Sequence, residues 1–233
     1  MNYLINYADL AFKNSQQKNS ISGIQHGFDS VLQYSKKDID KEFYIKNENI
    51  LSKKRGAGYW LWKPYIIYKT LKDVRDGDII FYSDSGSEFI KDVTPLVNLI
   101  KEQGIVAFKM SGHHKEREYT RRSVIKALDL PVDKTAITDQ NMASFIGVVK
   151  APSVLQMINI WLEHCQVPSL ILDTERQGNE FPEFIDHRHD QSLWSLITKK
   201  FNIYCAPDPT QWGLTHNQTT EQDMFINHHR SKG

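Results

Sequence analysis

The sequence predicts a single α/β domain, a sandwich with a mixed, largely parallel sheet flanked by helices. Three observations lead there. Short apolar runs alternate with longer amphipathic segments along the chain, the order that builds β-α-β units. No internal repeat or low-complexity linker interrupts the 233 residues, so they read as one domain, 1–233. That length is enough for a large buried core, and the apolar and charged fractions of 40% and 24% are those of a globular chain.

The elements follow in order. "YLINYA" (Tyr3–Ala8) reads as a short buried strand. The polar segment up to Gln25 has mixed character and reads as loop plus helix. "FDSVLQYS" (Phe28–Ser35) is a second strand. Residues 36–51 place Ile39, Phe43, Ile45 and Ile50 at approximately helical spacing. Gly56 and Gly58 mark a turn. Pro64 then suits the first turn of a helix, where its missing N–H costs little. Asp76-Gly77 stops that helix and opens the strand "DIIFYSD". Val93–Gly104 is a helix closed by glycine, Ile105–Met110 a strand, and residues 116–130 a helix. "ASFIGVVKA" reads as a strand, "SVLQMINIWLEHC" as a strongly apolar helix, "DQSLWSLITKKF" as a helix and "NIYCAP" as a strand. The remainder, from Asp208, is polar, aromatic and rich in histidine.

Charge and cysteine content bound the function. A net charge of +1 supplies no general attraction to nucleic acid or to a membrane. Cys165 and Cys205 have neither framework nor metal-ligand spacing, and they suit a reducing compartment. The start "MNYLINYADLAF" lacks the basic and apolar regions of a leader, and no apolar run is long enough to cross a bilayer. The expectation is a soluble cytoplasmic protein, with no nucleic-acid partner and with any membrane association peripheral.

In open α/β sheets ligands sit beyond the carboxyl ends of the strands, which points to Ala8, Asp84 and Met110. "RGAGYWLWKPYIIYKTLKDVRDGDIIFYSDSG" (Arg55–Gly86) concentrates the signals. Asp84, at a strand end, can hold a divalent cation against a diphosphate. Asp, Ser and Gly are equally ordinary turn residues. Arg55 and Lys63 suit phosphate oxygens, while part of the run Lys53-Lys54-Arg55 is a solvated face. "DHRHDQSLWSLI" places Asp190 at a helix start, as an N-cap or as a general base. His187, His189 and Asp190 resemble a metal cluster, which His113 and His114 would extend, but their spacing matches no zinc signature. Asp139, Gln140 and Asn141, ahead of a strand, suit hydrogen bonding to a sugar or a plain loop. "FINHHR" brings imidazoles and a guanidinium to the end of the chain, anchored by Phe225 and Ile226.

Taken together, these stretches resemble small GT-A-type glycosyltransferases of bacterial capsule, lipopolysaccharide and O-antigen synthesis, with relatives in large algal viruses. The resemblance covers most of the chain and is most specific in "RGAGYWLWKPYIIYKTL" followed by "GDIIFYSDSG". It implies a GT-A-like sandwich. About residues 1–110 would hold a nucleotide-sugar donor, UDP-sugar favoured. About 111–233 would hold a saccharide or lipid-linked acceptor and a donor-closing tail. Asn6, Tyr7 and Ala8 would meet the base and ribose. Arg55, Lys63, Asp84, Ser85 and Arg230 would meet the phosphates or sugar, and Asp139, Gln140 and His189 the acceptor. Asp190 would be the base of an inverting transfer. Asp84 and the second of the paired histidines His228 and His229 would ligate Mn2+ or Mg2+. The chain departs from the Asp-X-Asp motif at Gly86, which puts strict metal dependence in doubt. Two other readings remain: a metal-dependent phosphohydrolase on His187, His189, Asp190 and His113, and a non-catalytic saccharide-binding module.

Overall fold

The runs of β-branched and aromatic residues form strands, as their composition favours. In the computed structural model, which describes residues 1–112, 114–173 and 179–231, these are β1 (Asn2–Tyr7), β2 (Ser30–Tyr34), β3 (Ile79–Ser83), β4 (Glu88–Phe89), β5 (Ile105–Lys109), β6 (Asn141–Val149), β7 (Cys205–Ala206) and β8 (Ile226–Asn227). Six make one sheet in the order β2-β1-β3-β6-β5-β7, and β4 and β8 form a separate antiparallel pair. Within the large sheet only β6 is reversed: β1 pairs parallel with β2 and β3, β5 pairs parallel with β7, and β6 lies antiparallel between β3 and β5. The carboxyl ends of β1, β3 and β5 therefore share an edge with the amino end of β6.

Alternation along the strands splits the core into two layers. Ile5, Tyr7, Ile80 and Tyr82 face the helices Trp62–Asp73, Pro152–Cys165 and His189–Lys200. Leu4, Ile79, Phe81 and Phe108 face the helix Thr94–Gln103 and the β4-β8 pair. Trp161 and Trp194 are fully buried with ring centroids 4.8 Å apart, locking two helices of the first layer. Among the described residues no helix is long and apolar enough to cross a membrane.

Some elements match the sequence expectation and others differ. The helix Lys13–Gln25 is the helix of the expected loop plus helix, and it buries a polar face, Ser15, Gln16, Asn19, Ser20 and Ser22, so hydrophobic periodicity does not mark its bounds. Asn19 donates to Ser83 and to the Ser87 carbonyl, and the Gln16 amide donates to the Tyr34 carbonyl. Residues 36–51 break into short helical turns, and the helix expected over 116–130 ends at Tyr119. There Thr120 turns extended and donates its hydroxyl to the buried Glu116 carboxylate, while Arg121 reaches the Ser169 carbonyl. The polar tail is part of the fold. Phe225 and Ile226 are 9% and 0% exposed; Ile226 in β8 pairs with Phe89 of β4, and the Phe225 carbonyl accepts from the Ile90 N–H.

Candidate active site

The shared edge of the sheet opens into a cavity of about 790 Å³, and Ala8, Asp84 and Met110 all line it. Tyr7, at the end of β1, stacks on Trp62 with centroids 3.8 Å apart. The Ser85 hydroxyl donates to the Tyr7 carbonyl at 2.7 Å, which ties the loop after β3 to the end of β1.

The wall formed by the glycine-rich turn is unusual. Gly56, Ala57, Gly58, Tyr59 and Trp60 all have positive φ, from 50° to 101°, so the chain makes a turn of left-handed helix. Only glycine enters that region freely, and each other residue there costs about 1–2 kcal/mol. Surrounding contacts hold it. Trp62 Nε1 donates to the Gly56 carbonyl, and the Tyr59 hydroxyl donates to Asp173. Arg55 pairs with Asp173 and Asp186 at 3.1 and 2.8 Å. The turn delivers Trp60 into the cavity wall, with its ring stacked on His189.

At the floor, one ammonium serves two carboxylates. Lys63 Nζ lies 2.9 Å from Asp190 and 3.4 Å from Asp84, and its side chain is 4% exposed. Burial opposes its charge, but Asp190 and Asp84 outweigh burial and hold its pKa above the ordinary value. Two negative charges sharing one positive charge leave a deficit, and the more buried carboxyl carries it. Burial pushes Asp190 up to about 6, although Lys63 pulls the other way. Asp84 Oδ1 also accepts from the Tyr82 hydroxyl at 2.6 Å. Asp190 is not the helix cap. Its helix begins at His189, Arg188 holds the cap position, and Trp161 Nε1 donates to the Asp190 carbonyl.

Gly86 has a steric reason. The Arg230 backbone N–H donates to the Gly86 carbonyl at 2.8 Å, and a Cβ on Gly86 would lie 3.0 Å from the Arg230 Cα. The C-terminal segment thus occupies the space a second motif carboxylate would need. It brings His228 and Arg230 to the cavity. Burial lowers His228 to about 4 against the opposing pull of Asp84, so its imidazole is neutral at neutral pH.

The structure brings Tyr7, Ala8, Arg55, Lys63, Asp84, Ser85, His189, Asp190 and Arg230 to one cavity and leaves four expected residues outside its lining. Asn6 is fully buried, and its amide donates to Asn19 and Ser20, joining β1 to the first helix. Asp139 pairs with Lys115 at 2.8 Å. Gln140 is buried behind the wall, donating to Thr120 and accepting from Gln191. His229 turns away toward Glu88, because after Ile226 enters the core the alternation sends His228 inward and His229 outward. Lys63 and Arg55 line the cavity with their charges already answered by carboxylates. Arg188 and Gln191 line it without having been singled out in the sequence; Arg188, next to His189 and Asp190, carried only the signal of that neighbourhood.

A divalent cation fits incompletely. Asp84 and His228 offer two donors, Gly86 offers none, and Lys63 already offsets one of the two carboxylate charges. Among the described residues no three His, Cys, Asp or Glu side chains are grouped to hold a metal. His187 and His189 direct one ring nitrogen each to the Leu170 and Ile171 carbonyls. His113 lies outside the described residues.

No family model and no curated protein sequence matches the chain. Solved structures do. Mouse xyloside xylosyltransferase 1 in its apo form superposes with a TM-score of 0.53 at 10% identity, covering 98% of this chain and 97% of that one. The galactosyltransferase LgtC, solved with donor and acceptor sugar analogues, gives 0.51 at 11% identity, covering 99% and 87%. With the reversed β6 inside a parallel sheet and the cavity at its carboxyl edge, the likeness establishes the architecture: this chain has the fold of the GT-A-type glycosyltransferases.

Proposed function

We propose that this chain is a glycosyltransferase that moves a sugar from a nucleoside-diphosphate sugar, UDP-sugar favoured, to a hydroxyl of a saccharide or lipid-linked acceptor. Synthesis of a cell-surface polysaccharide such as capsule or lipopolysaccharide is the setting that suits such a reaction. The observation that carries this reading is Asp190. A buried carboxyl pushed up to about 6, set in the cavity beside a protonated lysine, is poised to accept a proton near neutral pH. The GT-A fold and the complex of LgtC with donor and acceptor analogues support a two-substrate cavity.

On this reading the Tyr7 end of the cavity receives the nucleotide, and Arg230 faces the diphosphate. Asp190 takes the proton from the acceptor hydroxyl as that oxygen attacks the anomeric carbon, and the bond to the diphosphate breaks on the opposite face. The product is then inverted. Lys63 keeps Asp190 oriented and offsets the Asp84 charge. A bound Mn2+ or Mg2+ would supply further charge to the leaving diphosphate, with Asp84 and His228 as the side chains able to touch it.

The test is release of nucleoside diphosphate and formation of glycoside by Asp190→Asn. Asparagine preserves the shape and cannot take the proton. The variant is expected to fold and to bind nucleoside diphosphate normally, with turnover reduced about a hundredfold to ten-thousandfold. In the wild type, kcat/KM is expected to fall about tenfold per pH unit below about 6, where Asp190 becomes protonated. Transfer by Asp190→Asn at the wild-type rate overturns the assignment. A product that retains the donor's anomeric configuration removes direct base-assisted inversion.

A further inference from the structure

Most cations around the cavity have their charge answered or sit in water. Lys63 is shared by Asp84 and Asp190, and Arg55 is held by Asp173 and Asp186. Lys54 and Arg230 are exposed. Arg188 is different. Its guanidinium carbon lies over the Tyr119 ring, 3.6 Å from the centroid, and its side chain lines the cavity half-buried. Among the described residues that guanidinium has no ion-pair partner and no hydrogen-bond acceptor. Its backbone is fastened, by contrast: the Arg188 N–H donates to the Tyr119 carbonyl and to the Ser192 hydroxyl.

A guanidinium carries five N–H donors in a rigid plane that matches the oxygens of a phosphate. Stacking on an aromatic face holds that plane but satisfies none of the in-plane donors. Taking such a group partly out of water without acceptors costs free energy, and an anion placed in its plane recovers it. Burial is the main influence lowering the Arg188 pKa, and Arg230 lowers it too. The two cations thus act on each other across one cavity, and both are relieved by a doubly charged ligand.

We propose that Arg188, held over the Tyr119 ring and joined by Arg230, is the residue that grips the diphosphate of the donor. This rests on the proposed glycosyl transfer for the identity of the ligand, and on geometry alone for the presence of an anion site. It assigns the diphosphate to Arg188 in place of Lys63, whose ammonium is already taken.

The experiment is calorimetric titration of the full chain with inorganic pyrophosphate, with UDP, ADP, GDP and CDP in turn, and with the matching nucleosides. The proteins are wild type, Arg188→Gln, Arg188→Lys and Tyr119→Leu. Arg188→Gln is expected to weaken nucleoside diphosphate and pyrophosphate binding about tenfold to a hundredfold, the range for a hydrogen bond to a charged group. Nucleoside affinity is expected to stay the same. Arg188→Lys keeps the charge over the ring without the fork, so it is expected to fold and to lose part of that affinity. Tyr119→Leu is expected to shift binding in the same direction by loosening the plane. Diphosphate binding by Arg188→Gln at wild-type strength overturns the inference and leaves the glycosyltransferase reading standing. Equal losses for nucleoside and diphosphate also overturn it. If the wild type binds pyrophosphate through Arg188 but no nucleoside diphosphate, the anion site stands and the glycosyltransferase reading falls. If the wild type binds neither, both fall.

Discussion

Replacing Lys63 by methionine keeps most of the buried stem and removes the ammonium between Asp84 and Asp190. At 2.9 and 3.4 Å, and with an effective dielectric of about 20, the lost attractions are roughly 6 and 5 kcal/mol before any offset. Several kcal/mol of lysine desolvation is regained. Asp84, whose side chain is 31% exposed, is partly screened by water. What remains is in line with the roughly 3–5 kcal/mol measured when one partner of a buried pair is removed. We expect about 3 kcal/mol of destabilisation at pH 8. The pH dependence has a definite sign. The folded Asp190 pKa is raised from 3.8 to about 6, so this group's contribution to stability is fully present below the unfolded value and is lost as pH rises through the folded one. Without Lys63 the folded value rises further and the decline extends to higher pH. Urea unfolding at pH 5 and pH 8 reads this directly. The variant is expected to be hurt much less at pH 5, and adding Asp190→Asn is expected to restore most of the loss at pH 8. A loss below about 1 kcal/mol at pH 8 would place Lys63 among weakly coupled surface pairs and refute the reasoning, as would an equal loss at both pH values.

Gly86→Asp restores the motif by sequence but puts a Cβ 3.0 Å from the Arg230 Cα. It is expected to lower stability by about 1–3 kcal/mol through overpacking, and thermal shift with and without Mn2+ is expected to show no gained response. Ending the chain after Met224 removes Phe225, Ile226 and the pairing of β8 with β4. At about 1.5–3 kcal/mol per buried side chain, the loss is roughly 3–6 kcal/mol, visible as a clear fall in melting temperature. An unchanged melting temperature would show that the tail only visits the cavity.

The α/β architecture was legible because strand and helix periods differ and the chain alternates them. The strands β1, β3, β5 and β6 and the helix Pro152–Cys165 are apolar in the patterns their burial requires. The strand-end rule located Ala8, Asp84 and Met110 without coordinates. The bounds and buried face of the helix Lys13–Gln25 were not legible, since that face is made of serine, asparagine and glutamine that find polar partners only in the folded sheet. Nor was the break after Tyr119, because the acceptor for Arg121 comes from Ser169, 48 residues away.

The amino-acid sequence alone determined the layer order, the edge of the sheet where the cavity lies, and the residue types available to it, because these follow from local periodicity and strand direction. Only the tertiary structure decided how those residues are used. It seated Lys63 as a counter-ion between two carboxylates, turned His228 in and His229 out, and laid the Arg230 backbone over Gly86. It also left Arg188 over the Tyr119 ring and, among the described residues, unanswered. Each of these depends on groups distant in the chain meeting in one low-dielectric space, where a charge is settled by its neighbours and not by its residue type.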